Sequence, residues 1–142
     1  MDTNNIYCGD NVLLMKMLPD SYIDLTVTSP PYDDLRTYNG YRFEFESVAK
    51  ELYRITKDGG TVVWVVGDKT DKGSETGTSF KQVLFFKEIG FNVHDTMIYE
   101  KNTSSFPARR DGKRYTQIFE YMFVFSKGKI KTGNLICDKP NR

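Results

Sequence analysis

Residues 23–32 read Ile23-Asp24-Leu25-Thr26-Val27-Thr28-Ser29-Pro30-Pro31-Tyr32. The apolar run at the front reads as a strand. Each proline behind it fixes φ and lacks an N–H, so neither a ladder nor a helix continues through Pro30 and Pro31. The strand therefore gives way to a stiff, outward-facing loop with one hydroxyl, a row of carbonyl acceptors and a flat ring. Taken alone, it also reads as a strand-ending proline turn. Its parts suit a site that grips the edge and face of a planar, amine-bearing base.

The surroundings alternate between strands and helices. Upstream, Ile6-Tyr7-Cys8-Gly9-Asp10 is expected to be a short strand ending in Gly-Asp, followed by an apolar stripe of helical spacing from Asn11 to Leu18 that Pro19 stops. Asp10 or Asn11 is equally placed to N-cap that helix. Downstream, Phe45, Val48, Ala49, Leu52, Tyr53 and Ile55 mark an amphipathic helix closed by Lys57-Asp58-Gly59-Gly60. Thr61–Val66 is a continuous β-branched run around Trp64, as expected of a strand buried on both faces of a parallel sheet. It ends in Gly67-Asp68, beyond the carboxyl end of a strand, where open α/β sheets keep their ligands. Lys69 to Gly77 reads as a surface loop, Ser79 to Ile89 as a helix capped by Gly90, and 91–100 and 119–126 as two strands joined by a long loop.

With 142 residues, 39% hydrophobic and 27% charged, the chain has the size of one domain and is neither disordered nor membrane-embedded. No apolar run approaches a bilayer span and the N-terminus is polar and acidic, so a cytoplasmic protein is expected. Cys8 and Cys137 lie at opposite ends without metal-ligand spacing and are read as reduced thiols. His94, the only histidine, is expected to be a packed or exposed strand residue rather than a base.

Charge is unevenly distributed. Residues 1–100 carry 10 Lys and Arg against 16 Asp and Glu, whereas residues 101–142 carry 10 against 3. Part of the basic excess lies in the 106–115 loop, where Arg109, Arg110, Lys113 and Arg114 stand between Phe106 and Tyr115. Such a loop suits phosphate contacts, which position a protein without reading sequence, and reads equally as a solvated turn. Lys127, Lys129 and Lys131 are expected to be surface charge.

The Thr28-Ser29-Pro30-Pro31-Tyr32 pentapeptide resembles the catalytic loop of the DNA amino-methyltransferases, which transfer a methyl group from S-adenosylmethionine to an exocyclic base nitrogen. The Gly9-Asp10 element and the 97–102 and 120–127 phrases resemble others of its segments, so the likeness runs from about Ile6 to Lys127. It implies an α/β, Rossmann-like S-adenosylmethionine-dependent methyltransferase fold. It also implies a catalytic set of Ser29, Pro30, Pro31 and Tyr32. The Ser29 side chain and the Pro30 carbonyl would accept the amine hydrogens, and Tyr32 would stack on a flipped-out base. Asp10 would contact the cofactor, and double-stranded DNA would be the partner. Serine at the first motif position looks more like the cytosine-N4 enzymes, and Asp or Asn there more like the adenine-N6 enzymes.

The family binds S-adenosylmethionine mainly through a glycine-rich strand-to-helix turn, yet no glycine here lies two residues from another. In this arrangement of the family that turn comes late, so residues 1–127 are read as the catalytic part. Residues 128–142 are read as a basic tail leading to a missing target-recognition and cofactor-binding half. The fold is then incomplete: central strands are missing, the Ile6–Cys8 strand lacks a neighbour and the Ile23–Thr28 strand has an open edge. Three readings remain. The chain is a methyltransferase half completed in cis, in trans or by self-association; a DNA-binding fragment without the methyl donor; or an inactive remnant.

Overall fold

A computed structural model of the chain describes residues 3–31, 42–102, 117–131 and 133. The elements in order are α1 (Asn11–Lys16), β1 (Ile23–Thr28), α2 (Phe45–Ile55), β2 (Thr56–Val66), β3 (Thr70–Asp71), β4 (Ser74–Glu75), α3 (Thr78–Glu88), β5 (Asn92–Glu100) and β6 (Phe119–Ser126). Four strands make one sheet in the order β1-β2-β6-β5, with β1 and β2 parallel and β6 antiparallel to both β2 and β5. β1, β2 and β5 therefore all run toward the same end of the sheet. The segment expected as a first strand, Ile6–Cys8, is irregular, and Ile6 is fully exposed. An isolated strand has nowhere to direct its backbone hydrogen bonds, and no neighbour is present among the described residues.

One face of the sheet is covered by α2 and α3. On it lie the fully buried Val62, Trp64 and Val66 of β2, opposite Phe125 and Phe123 of β6. Phe86 of α3 stacks on Phe125 with ring centroids 4.3 Å apart and meets Trp64 edge-on at 5.1 Å. The buried indole N–H of Trp64 donates to Gln82 Oε1 at 2.8 Å, so this core donor is paired. Helix α3 ends in a Schellman arrangement: Phe91 N–H donates to the Phe86 carbonyl and Gly90 N–H to that of Lys87. Gly90 has φ +114°, and a Cβ there would stand 2.8 Å from the Tyr53 hydroxyl.

Among the described residues no helix covers the opposite face. The alternation along β2 leaves Val63 and Val65 half-buried, so the expectation of burial on both faces holds for one face only. Register places Val27, Val63 and Val124 in one row across β1, β2 and β6, and Val65, Met122 and Met97 in the next across β2, β6 and β5. At the open edge Leu25 is 57% and Val27 65% exposed. The Lys57–Gly60 segment, expected to close α2, bulges inside β2: β1 advances two residues from Ile23 to Leu25 while β2 advances five, from Thr56 to Thr61. The N–H of Gly59 donates to the Lys127 carbonyl and the Lys127 N–H returns to that of Gly60.

A bare apolar face ending in an unpaired strand edge drives association. The double substitution Leu25→Lys with Val27→Lys is expected to shift the isolated chain from self-associated to monomeric in sedimentation velocity, with its circular dichroism unchanged. Equal association of both forms would count against the edge as the cause.

Candidate active site at the carboxyl end of the parallel strands

The candidate acceptor loop begins where β1 ends. Thr28 pairs with Trp64, so Ser29 and Pro30 leave the sheet level with the last residues of β2. Ser29 is exposed, Pro30 is buried and Pro31 half-buried. The hydroxyl is thus presented to solvent from a segment whose next residue is packed into the protein. Beneath lies Trp64, against which Phe43 and Phe45 pack at 6.4 and 6.0 Å between ring centroids. Chain leaving at Pro31 therefore returns beside the same buried indole.

Two further connections end at this side of the sheet. Gly67 and Asp68 lead from β2 into the small β3–β4 hairpin, found within the stretch expected to be a plain loop. β5 and β6 emerge together, with Lys101 N–H donating to the Ile118 carbonyl at 2.7 Å and an ion pair from Lys101 to Glu120. The topology consequently roots the basic loop at the same end as Ser29. Its Arg109, Arg110, Lys113 and Arg114 lie outside the described residues, as does Tyr32.

Asp68, expected at a ligand position, is engaged locally. Its carboxylate accepts from the backbone N–H of Ser79 at 2.9 Å and from the Ser79 hydroxyl. It thereby supplies the first turn of α3 with the acceptor that Gly77, at the N-cap, cannot provide. The separation of eleven positions between donor and acceptor hides this cap from local pattern reading. Lys127 is likewise no surface charge. Its ammonium donates to the carbonyls of Tyr53 and Thr56, both at 2.9 Å, and lies 4.7 Å from the centre of the Tyr53 ring.

Asp10 is the N-cap of α1: its Oδ1 accepts from Leu13 N–H at 2.9 Å. The carboxylate is exposed, and no hydrogen bond among the described residues joins it to Ser29, Pro30 or Pro31. Between α1 and β1, the connection is held by Arg54. Its Nε and Nη2 donate to Glu51 Oε2, and Nη1 donates to Asp20 Oδ1 and the Leu18 carbonyl. A second Nη2 bond reaches the Met15 carbonyl, so all five guanidinium N–H groups are used. The bonds to Glu51 and then Asp20 hold the guanidinium even further above the range in which it loses its charge. A separate cleft of about 600 Å³ lies at the amino end of the strands, lined by Asp24, Lys57, Gly60 and Lys131 among others. Among the described residues no group of three or more His, Cys, Asp or Glu is arranged to hold a metal, and no helix is long and apolar enough to cross a membrane.

A family model for DNA methylases, N6_N4_Mtase, matches residues 23–141. The chain belongs to the N6/N4 DNA methylase family. Over 123 residues it is 72% identical to the orphan methyltransferase M.BamHII of Bacillus amyloliquefaciens, covering 87% of this chain and 45% of that protein. It is 27% identical over 103 residues to the type II methyltransferase M.BglII of Bacillus subtilis, covering 68% of this chain and 29% of that one. The chain thus spans less than half the length of these relatives. Among solved structures, a candidate DNA modification methylase of Thermus thermophilus is 26% identical with a TM-score of 0.67, covering 89% of this chain and 54% of its own. The cytosine-N4-specific PvuII DNA methyltransferase, at 20% identity and a TM-score of 0.70, shares the fold over 87% of this chain and 49% of its own. The methylase fold is therefore present here in part, with β1 left as an edge strand of the sheet among the described residues.

If Asp68 anchors α3, Asp68→Ala is expected to lower stability by about 0.5–2 kcal/mol, the usual cost of losing a helix N-terminal acceptor. Urea unfolding followed at Trp64 measures it, and a midpoint equal to that of the parent would show the contact to be dispensable.

Proposed function

We propose that this chain is the acceptor-side half of a methyltransferase that moves a methyl group from S-adenosylmethionine to the exocyclic amine of a flipped DNA base. The observation carrying this is the exposed Ser29 hydroxyl fixed at the end of β1 by the buried Pro30. An exocyclic amine is a poor nucleophile because its lone pair is delocalised into the ring. Ser29 Oγ and the Pro30 carbonyl accept its two hydrogens, which favours a more tetrahedral nitrogen and frees the lone pair for in-line attack. Pro31 stiffens the loop, and Tyr32 stacks on the extruded base. Cytosine N4 is the favoured target, because serine occupies the first motif position.

The residues at hand fit one edge of the donor. When bound, S-adenosylmethionine supplies a methyl group made electrophilic by its sulfonium. The exposed Asp10 carboxylate suits a hydroxyl or amine of that molecule, but the chain has no glycine turn to cradle the rest. Donor binding therefore requires the complementary half, joined in cis or supplied in trans, and the open β1 edge with its bare face is a surface such a half would cover. A DNA-binding fragment without catalysis is the second reading, favoured by that same missing turn. Arg109, Arg110, Lys113 and Arg114 hold the DNA backbone in either case.

The test is mass spectrometry of nucleosides from cells producing this chain together with the C-terminal half of the Bacillus amyloliquefaciens relative. N4-methylcytosine that vanishes on Ser29→Ala is the expected result. N6-methyladenine would correct the target, and no methylated base from a soluble, assembled pair would remove the catalytic reading. Replacing the four loop cations with Gln is expected to lower the slope of log affinity against log salt by up to about 3–4. An unchanged slope would remove the loop from the DNA contact.

A further inference from the structure

α1 is a weak element by itself. It has six residues, none of them fully buried, whereas isolated helices shorter than about 12 residues are marginal in water. Val12, Met15 and Leu18 only lean against the core. Besides the Met17 and Leu18 N–H groups that close its last turn, one guanidinium braces its far end: Arg54 donates to the carbonyls of Met15 and Leu18, both at 2.9 Å. Glu51 and Asp20 hold that guanidinium from two sides, at 2.7 and 2.6 Å.

The same residue also fixes the start of β1. The Arg54 carbonyl accepts from Ser21 N–H at 3.0 Å, and the neighbouring Ile55 carbonyl accepts from Tyr22 N–H at 2.7 Å. Ser21 is held at φ +51°, a left-handed conformation uncommon for a residue with a side chain, so this connection is tightly specified. Arg54 thus grips both sides of the junction from which α1 leads back to Asp10 and β1 leads forward to Ser29. At 1.5 Å per residue, α1 carries Asp10 about 9 Å from the clasp.

We infer that Arg54 is a positioning residue, the fulcrum that sets the donor-side carboxylate of Asp10 relative to the acceptor hydroxyl of Ser29. This rests on the methyltransferase reading. In-line transfer tolerates little error in the separation of its reactants, so loosening the fulcrum acts on donor binding and on the chemical step, and spares the DNA contacts made elsewhere. Lysine can reach these carbonyls, but with a single nitrogen and no planar fork.

Two measurements test this. In the 142-residue chain, Arg54→Met is expected to abolish amide-exchange protection at Leu14, Met17 and Leu18 while that of β2 and β6 persists, with Arg54→Lys restoring part of it. Should the Met variant fail to fold, Asp20→Asn, which removes one exposed brace of the guanidinium, is expected to weaken α1 protection alone. In the chain assembled with its complementary half, Arg54→Met is expected to raise the S-adenosylmethionine KM about tenfold or more and slow single-turnover methylation, with DNA affinity within about twofold of the parent. Unchanged α1 protection overturns the clasp. So does an active parent enzyme whose donor KM and turnover survive the change, or a donor KM and DNA affinity that weaken together. A parent assembly without methylation, but with α1 protection lost in Arg54→Met, would locate the failure in the reading of function and leave the donor role without basis.

Discussion

The last four carbonyls of α2 have no partners inside the helix, and the arrangement of the molecule depends on how they are satisfied. Leu52 is taken by the N–H and hydroxyl of Thr56, Tyr53 by Lys127, Arg54 by Ser21 and Ile55 by Tyr22. The four acceptors are met by three different stretches of chain: the start of β2, the end of β6 and, for the last two, the approach to β1. One helix terminus therefore ties down three of the four sheet strands, at the amino ends of β1 and β2 and the carboxyl end of β6. The Lys127 ammonium completes the count, a favourable charge at a helix C-terminus that also rests on the Tyr53 ring.

Much of this was legible in the residues. The apolar spacing at Phe45, Val48, Ala49, Leu52 and Ile55 gave α2 the bounds it has, because a helical period over three turns admits no competing pattern. Ile23–Thr28 and the run around Trp64 became strands, and Pro30 and Pro31 ended β1 where the missing N–H groups required it. Gly90 was readable as a cap because only glycine fits φ +114° against the Tyr53 hydroxyl. What escaped was non-local. Ile6–Cys8 has strand-like residues, but a strand is made by its neighbour. Lys127 and Asp68 look like ordinary surface charges until the fold brings Tyr53, Thr56 and Ser79 to them. Asp10 could be read as a cap or as a contact for a ligand, and the observed bond to Leu13 settles only the first.

The candidate site shows the same division. Ser29, Pro30 and Pro31 form one continuous segment, so sequence placed them together. The clasp by which Arg54 reaches Met15, Leu18 and Asp20 spans more than thirty residues of chain, which no spacing rule reveals. Asp68 stands at a ligand-binding height of the sheet yet serves α3, so position at the carboxyl end of a strand is a weak guide without the contacts.

The neck of the β5–β6 connection has a consequence for variation. Lys101 and Ile118 are bonded backbone to backbone, and Lys101 and Glu120 pair just below them, so both exits of the intervening segment stand side by side whatever lies between. Doubling the length of such a segment adds only about 0.6 kcal/mol of closure entropy. The fold accordingly offers an interchangeable cassette at the end of the sheet where Ser29 stands: new lengths and new chemistries can be inserted there without re-registering a single strand.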